Sequence, residues 1–133
     1  MTSGIRTSVV ELHLARLRGR FPGASAEAMP DGTWHVTVPD VGLDDHWNRR
    51  TVTVWFIAPA GYPTAKPDCF WANADLTLAN GAVPQSASVN VMPGTAEARL
   101  WFSWHLGAEA WDPVRHDLLV YANAICRRLS EDR

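Results

Sequence analysis

The chain has 133 residues, 47% of them hydrophobic and 20% charged, with a formal net charge of −2 and no block of like charge. That length fits one domain over residues 1–133 with a core of its own. The composition excludes disorder, and the charge leaves no electrostatic footprint for nucleic acid or anionic lipid. Residues 8–19, "SVVELHLARLRG", put Val9, Leu12 and Leu17 to one side of an amphipathic first helix that begins near Ser8. "GTWHVTVPD" alternates Trp34, Val36 and Val38 against Thr33, His35 and Thr37, the period of a half-buried strand, and Pro39-Asp40 predicts a turn after it. "TVTVWFIAP" repeats the alternation over 51–59 and reads as the adjacent strand. The two prolines and the glycine of "AGYPTAKPD" make 60–68 a loop, and "CFWA" over 69–72 is a short third strand.

The tract from 73 to 100 is weakly patterned, with a brief hairpin expected around Asn80-Gly81. "WDPVRHDLLVYANAICRRLSEDR" predicts a closing helix that starts at Pro113, with Val114, Leu118, Tyr121, Ala122, Ile125 and Leu129 at helical spacing. The order is helix, antiparallel meander, irregular tract and helix, an α+β class. Seven tryptophans are unusual for this size, and Trp55, Trp71, Trp101 and Trp111 are expected in the core.

Cys69 and Cys126 belong to no CxxC or Cys/His spacing, so they read as reduced, buried thiols, and no metal constellation or bound cofactor is expected. The N-terminal residues lack the basic start, apolar core and cleavage site of a secretory leader, and no segment reaches the length of a membrane span. The expected location is the cytoplasm.

"GYPTAKPD" and "WDPVRHDLLVYANAICRRL" resemble two fixed points of the ubiquitin-conjugating enzyme family: a "YPxxPP" loop after the sheet and a "WSP" turn about eight residues beyond the catalytic cysteine. Tyr62, Pro63 and Pro67 match the first, and Trp111, Asp112 and Pro113 the second. "GYPTAKPDCFW", "NGAVP" and "FSWHLGAEAWDPVRHDLL" are closer still to a bacterial branch with a Ser-x-His block. This chain departs from the pattern at Trp104, where a basic residue is usual, and in lacking the "HPN" tripeptide. The resemblance implies a conjugating-enzyme fold. It also implies a role beside an activating enzyme and a ubiquitin-like protein, a metal-dependent deubiquitinase from the same gene cluster, and an association with antiphage defence.

Eight residues before Trp111 stands Ser103, not cysteine. Cys69 falls in the strand after the loop and Cys126 inside the last helix, so neither takes the place of the missing thiol. A serine hydroxyl needs a neighbouring base to attack an activated carbonyl, and His105 is the candidate. In an extended segment, positions 103 and 105 share a side while Trp104 turns away. Asp112 or Asp117 would orient the imidazole. His116 is expected on the surface of the closing helix's first turn, His35 and His46 on a strand face and a loop, and His13 on the helix that in the family meets the activating enzyme. Two functions follow: a transferase that carries a ubiquitin-like protein as an oxyester on Ser103, or an inactive binding module that has kept the fold and lost the cysteine.

Overall fold

A computed structural model describes residues 8–106 and 111–133. The Ser8 hydroxyl accepts the Glu11 N–H at 3.1 Å and the Glu11 carboxylate accepts the Ser8 N–H at 3.2 Å. This reciprocal cap starts α1 (Val9–Arg20) where the sequence places it. The buried stripe is Val10, Leu14 and Leu17, while Val9 and Leu12 are exposed. The amphipathic face is therefore rotated from the expected one, because spacing of i, i+4 and i+7 sets the contact line.

Six strands form one antiparallel sheet: β1 (Ser25–Ala28), β2 (Trp34–Gly42), β3 (Thr51–Ala58), β4 (Phe70–Ala72), β5 (Ala87–Val91) and β6 (Ala98–Phe102), in the spatial order β1-β2-β3-β4-β6-β5. The helix α2 (Leu118–Leu129) follows, and α1 packs against it. This is the expected α+β arrangement, consistent with a ubiquitin-conjugating-enzyme-like fold. Alternation sends Val36, Val38, Val54, Phe56, Phe70 and Phe102 into the core, where Phe56 meets Tyr121 of α2 at 5.1 Å between ring centroids. Phe70 stacks on Phe102 at 4.4 Å.

The period of two places Trp55, Trp71 and Trp101, which pair across β3, β4 and β6, on the opposite face. The Arg99 guanidinium lies 3.7 Å from the centre of the Trp55 ring there, a cation–π contact. Trp47 is the core tryptophan, its indole N–H donating to the Leu129 carbonyl at 2.7 Å, and Trp111 is half-buried. The expected tryptophan core is corrected for Trp55, Trp101 and Trp111, which are half-buried, while Trp71 is buried as expected.

Four boundaries differ from expectation. Pro39-Asp40 makes a bulge, not a strand end: Asp40 has φ 58°, the register slips between Val38 and Val41, and β2 runs on to Gly42. Cys69 lies outside β4, in the left-handed region at φ 59°. Asn80-Gly81 is a tight turn closed by the Leu78 N–H to the Ala82 carbonyl, without paired strands. Pro113 opens a separate turn, and α2 starts at Leu118, capped by Asp117, whose carboxylate accepts the Val120 N–H at 3.0 Å. The tract from 73 to 100 supplies β5 and part of β6. Among the described residues no helix is long and apolar enough to cross a membrane.

Candidate functional site

The two motifs that bracket the candidate site meet in space. The Trp111 indole N–H donates to the Pro63 carbonyl at 2.9 Å, and the Tyr62 and Trp111 rings lie 6.2 Å apart. Tyr62 is buried, and its hydroxyl is 2.6 Å from His13 Nδ1, which ties α1 to the loop. Burial holds the His13 imidazole below its ordinary range, with Asp117 pulling the other way. His13 therefore faces the loop.

Ser103 stands one residue past β6, half-buried. Its N–H donates to the Ser86 carbonyl at 2.8 Å, and Ser86 has φ 60°, so the tract before β6 fixes the backbone of the candidate nucleophile. Immediately after it the Trp104 N–H turns back to the Phe102 carbonyl at 2.9 Å, and the Trp104 ring packs against Phe70 and Tyr121. Trp104 faces inward, as the alternation predicts, and His105 is exposed. Residues 107–110, inside the tryptophan-rich block that separates Ser103 from Trp111, lie outside the described residues.

His105 is oriented by a residue the sequence reading did not select. His105 Nδ1 is 2.5 Å from Asp68 Oδ1. A carboxylate only accepts, so in the neutral ring Nδ1 carries the proton and Nε2 keeps the lone pair. Neither acid proposed from the sequence has this role. Asp117 caps α2 and pairs with Arg16 at 3.3 Å, while the Asp112 carboxylate accepts from the Val114 N–H and Arg115. Those two hydrogen bonds hold Asp112 below the usual carboxylate range. His116 accepts the Asp112 N–H at 2.8 Å in the turn before α2, so it is a turn-closing residue and not part of the helix. The only signal for Asp68 was its place at the end of the proline-rich loop, which says nothing about the residue it faces.

Cys69 joins the same corner. Its N–H donates to the Trp104 carbonyl at 3.0 Å and its carbonyl accepts the Tyr121 hydroxyl at 2.7 Å, so its backbone is held from β6's extension and from α2. The β4–β6 pairing ends at Phe70 and Phe102, and beyond it Cys69 bonds to the Trp104 backbone, one residue past Ser103. The ligand atoms of Asp68, Cys69 and His105 lie within 4.8 Å of one another. Burial pushes the Cys69 thiol up, and contacts from the Trp104 backbone and the Trp101 indole only partly offset it. A thiol kept protonated is a poor nucleophile. Cys126 is half-buried on α2, also pushed up by burial.

The model of the family described as Prokaryotic E2 family E matches residues 21–132. The chain belongs to this family. No curated protein and no solved structure matches it. For a prokaryotic E2-like chain, the sheet with its two helices is the expected scaffold. Membership supports a conjugating-enzyme-like role, with an activating enzyme and a ubiquitin-like protein as the implied classes of partner. Among the described residues Ser103 Oγ makes no hydrogen bond, and His105 is engaged by Asp68.

Proposed function

We propose that this prokaryotic E2-like protein is a transferase that carries the C-terminus of a ubiquitin-like protein as an oxyester on Ser103, with His105 as base and Asp68 as its orienting acid. The reading is carried by the Asp68–His105 contact at 2.5 Å, two residues beyond a serine whose own N–H is fixed. In the first step Ser103 Oγ bonds to the activated carbonyl carbon. Its proton passes to His105 Nε2, the bond to the activating partner breaks, and that leaving group takes the proton from His105, which ends the step neutral. Asp68 stabilises the imidazolium that forms, as the third member of a triad does. In the second step a target amine attacks the ester carbonyl, neutral His105 takes the amine proton, and Ser103 Oγ leaves with that proton as the C–O bond breaks. An ester is less reactive to amines than a thioester, so the base contributes more here than it would beside a cysteine. Proton transfer of this kind is worth about 10² to 10⁴ in rate.

The test is incubation with the cognate activating enzyme, ubiquitin-like protein and ATP. The expected product is a covalent adduct that survives thiol reductant, breaks in mild alkali and is absent in Ser103→Ala. Absence of any adduct while the ubiquitin-like protein still binds would establish the binding-module alternative instead.

A further inference from the structure

We propose that Asp68, Cys69 and His105 form a binding site for a borderline-soft divalent cation of the zinc type. Asp68 and Cys69 are neighbours in sequence, and in an extended strand their side chains would point to opposite faces. The left-handed backbone of Cys69, φ 59°, breaks that alternation and turns the two donors to one side. A non-glycine residue in this conformation is strained by its Cβ. Two hydrogen bonds hold it there, from the Cys69 N–H to Trp104 and from the Tyr121 hydroxyl to the Cys69 carbonyl. His105 arrives from the other side of the corner, leaving a sulfur, a nitrogen and an oxygen within 4.8 Å of one another.

Zinc binds thiolate, imidazole and carboxylate with bonds of about 2.0 to 2.3 Å, so its donors stand roughly 3.3 to 3.8 Å apart. Side-chain rotations that part His105 Nδ1 and Asp68 Oδ1 from their 2.5 Å hydrogen bond would reach that spacing, the ligating ring nitrogen giving up its proton to the other. His105 and Asp68 are free to make them, with side chains 61% and 52% exposed. Three protein donors on an open surface leave the fourth position to water, and the thiolate sets the site apart from those of magnesium or calcium. Binding releases the Cys69 thiol proton to solvent, and sulfur and metal share the electron pair it leaves. A metal-bound His105 is withdrawn from Ser103, so zinc suppresses ester formation; that consequence alone rests on the acyl-transfer reading.

Cobalt(II) titrated into the reduced full chain reads the site directly. The expected result is one ion per chain with a near-ultraviolet thiolate-to-cobalt charge-transfer band, absent in Cys69→Ala and retained in Cys126→Ala. Zinc is expected to displace the cobalt, and Asp68→Asn is expected to weaken zinc binding at least about tenfold. A second measurement needs no variant: in the wild type, zinc should protect Cys69 but not Cys126 from alkylation, as read by peptide mass spectrometry. No charge-transfer band, a band that follows Cys126, or equal alkylation of Cys69 with and without zinc would overturn the site. Because these readouts require no adduct, a metal site without ester formation and ester formation without a metal site remain distinguishable.

Discussion

The loop between β3 and β4 builds two corners of the molecule, and they differ in what they leave unsatisfied. At its start Tyr62 is buried, its hydroxyl meets His13, and the next carbonyl takes the Trp111 indole N–H. At its end the Cys69 backbone is held just as firmly, by Trp104 and Tyr121, yet Asp68 and His105 stand largely in solvent with one ring nitrogen still free to accept. The first corner spends its polar groups on the fold. The second fixes its backbone and leaves its side chains available, as a preorganised reacting group requires. Both are flanked by residues that match family motifs, so motif likeness alone does not separate scaffold from chemistry.

The sharpest contrast comes from removing one side chain at each corner. His105→Ala should slow adduct formation by about 10² to 10⁴ while leaving urea stability within roughly 0.5 kcal/mol, since the side chain is exposed. Trp111→Phe should do the reverse: the Pro63 carbonyl loses its donor, stability falls by about 1 kcal/mol, and the rate changes by less than tenfold. Equal losses of rate in the two variants would erase the distinction. Tyr121→Phe tests the support beneath the second corner. Removing the donor to the Cys69 carbonyl should lower stability by about 1 kcal/mol and slow adduct formation a few-fold, measured by urea melts and a timed adduct assay.

The smallest expected effect is on pH dependence at the first corner. Burial lowers the folded His13 pKa beneath its ordinary 6.5, so the unfolded chain binds the proton more readily. Stability from this residue is complete above the ordinary value and is lost as pH falls through that value toward the folded one. His13→Gln should flatten the stability–pH profile as pH falls below about 6.5. An unchanged slope would show that His13 is not held neutral by its packing.

Much of the scaffold was legible because its signals are local. The apolar spacing that begins near Ser8 announced α1, and the alternation through Val36 and Val38 and through Val54 and Phe56 announced β2 and β3. β1, "SAEA", was missed because it is a short polar edge strand whose pairing depends on β2 and not on its own pattern. β5 was missed because four of its five residues are exposed, leaving no alternation to read. The tryptophans misled for the opposite reason. Bulk argues for burial, but Trp55 and Trp101 occupy strand positions whose neighbours fill the core, so the period of two leaves them half-buried on the other face, where only Trp71 between them is buried.

At the site, Ser103 and His105 were visible as a spacing from Trp111. Asp68 was not, because its pairing with His105 is a loop contact between residues far apart in sequence. The association of Cys69 with both depends on one positive φ, which no composition or periodicity reveals.

The central claim is that the corner holding Ser103 performs acyl transfer through oxygen although Cys69 stands at the same corner, bonded to the Trp104 backbone. Tandem mass spectrometry of the trapped adduct, on the wild type and on Cys69→Ala, addresses this directly. The account predicts that the C-terminal peptide of the ubiquitin-like protein is attached to Ser103 in both. Attachment to Cys69, with loss of the adduct in Cys69→Ala, would contradict it.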